Sequence, residues 1–234
     1  MDIQSNTENR NKELKELKTF LFDLDGTLIN SADDIAEAVN YTLKQLNREP
    51  LSKEEIVKYV GYGAKKLMED VLKLTEDNIN DEIIEKATKM FRDYYLSNPC
   101  VYTTPYPYTE ELLKFLKENN KKVGVITNKY EEVSNRILDK LGLSKYIDIV
   151  VGGDTVGEKK PSDKPVNYAL DRLNTKPEES ILIGDSEVDI QAGKNANTKT
   201  GLVLYGYGKI ELAKQLKPDY IFNSFNEILK KLEA

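Results

Sequence analysis

A chain of 234 residues with net charge -6, 39% apolar and 32% charged, has the balance of a folded globular protein and length for one full domain plus a second small one. Acids and bases alternate without a basic stripe, which argues against a nucleic-acid partner, and no run approaches the ~20 apolar residues of a membrane span. Histidine is absent, which excludes Ser-His-Asp and Cys-His hydrolases, phosphohistidine chemistry and imidazole-based zinc sites, and leaves acid–base work to carboxylates, Lys or Tyr.

The first stretch, Met1 to Leu17, is polar and mixed in charge. It lacks the apolar core of a secretory signal and is expected to be a frayed or helical extension of a cytoplasmic protein. Thr19–Phe22 then opens a series of short apolar runs, followed by Val123–Ile126, Ile149–Val151, Ile181–Ile183, Leu202–Leu204 and Tyr220–Phe222. Continuous rather than alternating, most suit strands covered on both faces.

From about Asn30 to Thr103 no strand is expected and several helices are. Ser31 with Asp34 predicts a capped helix carrying Ile35, Val39, Leu43 and Leu46 on one face. Ser52 with Glu55 predicts a capping box before Ile56 and Val60. Leu67, Val71 and Leu72 mark a further helix, and Ile83 to Leu96 another. An insert of this size after the first strand reads as a separate cap, residues 30–103, between core segments 18–29 and 104–234. Cys100, the single cysteine, forms no internal disulfide and fits a reducing compartment. Tyr102–Tyr108, with Pro105 and Pro107, leads back to the sheet. Two helices follow, over Thr109–Asn119 and over Glu131–Leu141, the second ending at Gly142. Alternation of strand and helix predicts a parallel α/β sheet.

Ligands of open α/β sheets bind beyond the carboxyl ends of the strands. There the first strand runs into Asp23-Leu24-Asp25-Gly26-Thr27, the second into Thr127-Asn128-Lys129, and the fourth into Gly184-Asp185-Ser186 with Asp189 four residues on. Lys159-Lys160 precedes Pro161 after the third. Asp23, Asp185 and Asp189 make a hard oxygen site for Mg²⁺. Without a cation, three carboxylates would repel a phosphate dianion. Thr127, Asn128 and Lys160 are expected to hold phosphate oxygens, and Gly26 to turn the backbone so that amide N–H groups face them. One carboxylate can serve as nucleophile while its neighbour works as acid and then base. Each element alone has a bland explanation, as a solvated turn, a surface lysine or an acidic helix start. Their order, spacing and strand-end placement make the set specific.

These residues closely resemble the haloacid dehalogenase superfamily from about Thr19 to the C-terminus, and within it the phosphoglycolate phosphatase group. Asp23 to Thr27 looks like the first motif, Thr127 the second, Lys160 the third, and Gly184-Asp185 with Asp189 the fourth. Gly61-Tyr62-Gly63-Ala64, Pro105-Tyr106-Pro107, Thr127-Asn128-Lys129, Gly152-Gly153-Asp154 and Lys159-Lys160-Pro161 carry the narrower resemblance. Tyr108 departs from the glycine usual there, and Ser162-Asp163 from His-Pro; these put the substrate in doubt more than the chemistry. The resemblance implies a Rossmann-like core with a C1-type helical cap. It implies Asp23 as nucleophile, Asp25 as acid and then base (so protonated at the first step), and Lys160 and Thr127 on the phosphoryl group. Phosphate contacts from Leu24, Gly26, Thr27 and Asn128 are expected with them. Mg²⁺ would bind Asp23, the Asp25 carbonyl and Asp185, with Asp189 assisting.

In the cap, Tyr62, Lys65 and Lys66 are the candidates for substrate specificity, and Lys65 or Lys66 could meet a substrate carboxylate, against the reading of the two lysines as a solvated helix start. The lead function is hydrolysis of a small phosphate monoester, 2-phosphoglycolate first, by a monomer or homodimer. A pyrophosphatase or a nucleotide or sugar phosphatase stays open. A mutase is disfavoured because similar mutases use a cap histidine, and dehalogenases lack the aspartate that Asp25 supplies. A phosphonate hydrolase would need a Schiff-base lysine in the cap. The alternative from another class is a catalytically silent binding module on the same fold.

Overall fold

The computed structural model describes residues 3–75 and 79–233. Along the chain run α1 (Ile3–Glu16), β1 (Thr19–Phe22), β2 (Ile29–Asn30), α2 (Ala32–Gln45), α3 (Lys53–Ile56), α4 (Ala64–Thr75), α5 (Asp81–Ser97), β3 (Thr104–Pro105), α6 (Thr109–Glu118), β4 (Lys122–Ile126), α7 (Glu131–Lys140), β5 (Ile149–Val151), α8 (Lys164–Leu173), β6 (Ser180–Gly184), α9 (Glu187–Asn195), β7 (Lys199–Val203), α10 (Ile210–Gln215), β8 (Tyr220–Phe222) and α11 (Phe225–Glu233). Six of the strands form one parallel sheet in the order β5-β4-β1-β6-β7-β8. β1 and β6 lie at its centre and every residue in them is buried. This is the continuous apolar pattern expected of strands covered on both faces.

The order reverses at β1, whose neighbours are β4 on one side and β6 on the other. The crevice at such a switch point lies beyond the carboxyl ends of the strands. Asp23 stands there, its amide donating to Ile183 O at 2.9 Å.

Helices α2 to α5 form the insert. α5 packs against α2 and α4, and also touches α7 of the sheet layer. Where the chain leaves the core and where it returns, β2 and β3 pair antiparallel, Ile29 with Pro105 and Asn30 with Thr104. This two-residue ribbon, too short to show a period in sequence, ties the two crossings together.

The Ser52–Glu55 capping box forms as expected. The one expected at Ser31 does not, because longer-range partners take both side chains. Ser31 Oγ donates to Asp25 Oδ1 at 2.5 Å. Asp34 is buried and accepts from the amides of Val101, Tyr102 and Thr103, and from the Thr103 hydroxyl at 2.5 Å. It therefore fixes the segment by which the insert rejoins the core.

The N-terminal segment is more than an extension. Leu14 and Leu17 are buried in the main core cluster, and α1 packs on α11. The Lys121 ammonium donates to Lys15 O and Leu17 O at 2.6 and 2.7 Å, satisfying carbonyls left open at the helix end. At the start of α6, Tyr108 adopts φ 66°, the left-handed region. The glycine usual there avoids that strain; the tyrosine bears it.

Candidate active site

Three buried carboxylates converge above the central strands. Asp23 comes from the end of β1, Asp185 from the turn after β6, and Asp189 from the first turn of α9. One oxygen of each lies within 4.8 Å of the others. Lys160 is buried among them. Its ammonium donates to Asp23 Oδ1 at 2.7 Å, Asp189 Oδ1 at 2.6 Å and Ile126 O at 2.6 Å. All three ammonium protons are thus used.

The partners of the other oxygens are as specific. Asp185 Oδ2 accepts the amides of Tyr207 and Gly208 at 2.6 and 2.9 Å. Asp189 Oδ2 accepts the Ser186 amide at 3.1 Å and its hydroxyl at 2.6 Å. Burial pushes Asp23 up to about 8, with Asp189 and Asp185 adding to the rise and Lys160 opposing it. Burial likewise lifts Asp185 to about 7, with Asp189 adding and the Gly208 and Tyr207 amides opposing. Lys160 is raised: burial disfavours its charge, and Asp189 and Asp23 outweigh that. The cluster is overdrawn in negative charge, three carboxylates against one ammonium, and a divalent cation would correct this.

Asp25 stands apart from this trio. Lys129 Nζ bonds both its oxygens, at 2.8 and 3.0 Å, and Ser31 Oγ bonds one. A metal contact from Asp25 is therefore left to its backbone carbonyl. Both Asp25 and Asp23 line a cleft of about 720 Å³, mouth included, between the insert and the sheet edge.

Several expected contacts fall differently. The Gly26 amide is spent on Ile29 O at 2.9 Å and the Thr27 amide on Leu24 O at 3.3 Å, both inside the turn, so neither faces the cleft. Gly26 is required for another reason. At φ 84° a side chain is strained, and a Cβ would strike the Asp185 carboxylate. Thr27 is buried with its hydroxyl 3.4 Å from Asp185 Oδ1. The Leu24 side chain is fully buried, leaving only its backbone amide for phosphate. Thr127 lines the cleft as expected.

Asn128 also lines the cleft, but its amide group is occupied. It donates to Gly61 O at 2.8 Å and Lys160 O at 3.0 Å, and accepts from the Lys160 amide at 2.9 Å. It pins the insert to the loop that carries the buried lysine. That use replaces the phosphate contact expected of it.

The three insert candidates lie outside the cleft lining. Lys65 pairs with Glu85 at 2.5 Å and Lys66 with Asp70 at 2.6 Å, both on the exposed face of α4. Charges at a helix start find such partners readily, and the pairs are worth little. Tyr62 reaches instead across to Glu187 at 2.7 Å, a clasp from insert to core. Four groups at the site carry no assigned role in the sequence motifs. Lys129 followed Thr127-Asn128 and its place beyond a strand end was the available signal. Tyr207 sits between two glycines after β7, also at that edge. Arg92 and Tyr95, on α5, looked like ordinary helix positions.

Residues 20–203 match the model of the family described as haloacid dehalogenase-like hydrolase. A protein of Aquifex aeolicus named phosphoglycolate phosphatase is 46% identical over 93% of this chain and 97% of its own. One of the same name from Colwellia psychrerythraea is 37% identical over 94% and 99%. Among solved structures, a predicted phosphoglycolate phosphatase of Haemophilus somnus superposes with TM-score 0.86 at 30% identity, covering 92% of this chain and 97% of that one. With this match across fold, motifs and length, the chain belongs to the haloacid dehalogenase-like hydrolase family.

Proposed function

We propose that this protein is a metal-dependent phosphatase of small phosphate monoesters, with 2-phosphoglycolate as its substrate. The observation that carries the reading is the convergence of Asp23, Asp185, Asp189 and Lys160 at one strand edge, beneath a cleft that also holds Asp25. The names of the relatives supply the substrate.

The donor set fits a hard divalent cation. Asp23, Asp185 and Asp189 offer only oxygens, and burial makes their unneutralised charge costly. These residues would hold Mg²⁺ together with the Asp25 carbonyl. Bound there, the ion neutralises the carboxylates and draws charge from the phosphoryl oxygens.

The residues then divide the work. Asp23 Oδ attacks phosphorus, forming an aspartyl-phosphate as the ester P–O bond breaks. Asp25 gives its proton to the departing alkoxide oxygen. Water next attacks the phosphorus while Asp25 takes its proton, the Asp23 O–P bond breaks, and inorganic phosphate departs. Thr127 holds the phosphoryl oxygens through both steps, while Lys160, its protons committed to Asp23, Asp189 and Ile126 O in place of the phosphate contact expected of it, offsets the negative charge gathered there. The helical insert keeps bulk water from the intermediate.

Phosphate release from a panel of small monoesters, with Mg²⁺ and after chelation, tests this reading. The expected result is metal-dependent turnover with the highest kcat/KM on 2-phosphoglycolate, abolished in Asp23→Asn. No metal-dependent release from any monoester would overturn it.

A further inference from the structure

The leaving group must depart into the cleft above Asp25, and α5 forms one of its walls. Phe91, Arg92 and Tyr95 all line that wall. Arg92 and Tyr95 are three residues apart and so share a helix face. Contacts lead outward from the proton donor toward them: Asp25 meets Lys129 at 2.8 Å, and Lys129 Nζ lies 4.3 Å from the Tyr95 ring centroid. Beyond lies the Arg92 guanidinium, 4.6 Å above the Tyr130 ring.

Both α5 side chains bring polar atoms that lack acceptors. Arg92 Nε is buried and makes no hydrogen bond, and the Tyr95 hydroxyl, on a residue 2% exposed, makes none of good geometry. Among the described residues no carboxylate pairs with Arg92, although Glu131, Glu132 and Asp154 border the groove on its outer side. A buried N–H without an acceptor is unfavourable. Two such donors on one wall of a cleft mark the place of an acceptor that arrives from outside. The Tyr130 ring, 4.6 Å from the guanidinium carbon, positions Arg92 by a cation–π contact, and a guanidinium fork matches the geometry of a carboxylate. Lys65 and Lys66, the cations anticipated for this purpose, are taken up by surface acids.

We propose that Arg92, with Tyr95 on the same cleft wall, receives the carboxylate of the leaving alcohol, so that the cleft selects phosphate esters of hydroxy acids over esters of uncharged alcohols. The inference rests on the phosphatase reading and adds the residue that makes the selection. Arg92 grips the far end of the substrate and takes no part in bond making, so its effect is on discrimination between esters.

The test compares wild type, Arg92→Gln, Arg92→Lys and Tyr95→Phe on 2-phosphoglycolate and on p-nitrophenyl phosphate, whose leaving group has no carboxylate, in Mg²⁺. In Arg92→Gln the loss of kcat/KM on 2-phosphoglycolate should exceed the loss on p-nitrophenyl phosphate by about 30-fold, the range of a charged hydrogen-bonded pair. Arg92→Lys should restore part of that ratio, and Tyr95→Phe should lower it by about 5-fold. Equal losses on the two esters would reduce Arg92 to a structural support and overturn the proposal. So would wild type that turns over both esters without preferring the carboxylated one, a result that leaves the phosphatase reading standing. Release from neither ester would remove that reading, and this one with it.

Discussion

Replacing Lys160 by methionine keeps most of the apolar stem of the side chain and removes its charged end. The ammonium is bonded to Asp23, Asp189 and Ile126 O, and the side chain is 2% exposed. Its loss strands two carboxylates and a carbonyl in a site that water barely reaches. Removing one partner of a buried ion pair costs about 3–5 kcal/mol. For a chain of this length each kcal/mol moves Tm by roughly 2–4 °C, so a fall of about 10 °C is expected. The cost must also depend on pH. Stranded carboxylates can escape it by taking protons, so the fall should be larger at pH 8 than at pH 6. Thermal unfolding followed by circular dichroism in chelator at both pH values measures this. A Tm within about 2 °C of wild type at pH 8, or a larger loss at pH 6, would refute the argument that this lysine neutralises the cluster.

Three further outcomes follow from the geometry. Asp34→Ala leaves three backbone amides and the Thr103 hydroxyl without their acceptor, at a cost of about 3 kcal/mol. Limited proteolysis should then cut between residues 98 and 106, and unchanged protection there would count against it. Tyr108→Gly relieves a left-handed tyrosine at the start of α6 and should raise stability by roughly 1 kcal/mol; denaturant titration showing a decrease would contradict that assignment of strain. In the metal-free protein, Asp23 and Asp185 are raised acids, so the stability they contribute is complete below their unfolded values and is lost as pH climbs through about 7 and 8. Mg²⁺ binds the deprotonated form, so the gain in Tm on adding it should grow from pH 6 to pH 9; a flat or shrinking gain would argue that the cation binds elsewhere.

What was legible in the sequence was what local pattern and strand-end position can carry. β1 falls on Thr19–Phe22 as expected, because both its faces are covered and three of its four residues are apolar. β7 runs Lys199–Val203 rather than Leu202–Leu204. Its first residues are polar, and Thr200 is held instead by Asp219 through its amide and hydroxyl. The carboxylate trio and Lys160 were readable because the parallel sheet puts every strand end on one edge. Interactions between distant segments were not. Ser31 and Asp34 have the spacing of a cap and serve Asp25 and residues 101–103 instead. Asn128 looked like a phosphate ligand and is the pin between Gly61 and Lys160. The glycine turn points to Lys65 and Lys66 as substrate-facing cations, whereas among the described residues of the insert the cation lining the cleft is Arg92 on α5, where periodicity alone does not separate a cleft wall from a core face. The polarity of the N-terminal segment concealed Leu14 and Leu17, two residues that dock it.

The proposed mechanism depends most on Asp23 supplying the oxygen that bonds phosphorus. Wild type mixed with 2-phosphoglycolate and Mg²⁺, quenched in acid within the first turnover and analysed by peptide mass spectrometry, should carry one phosphoryl group on the peptide holding Asp23, and Asp23→Asn should carry none. Turnover with no label on that peptide, or a label on another residue, would contradict it.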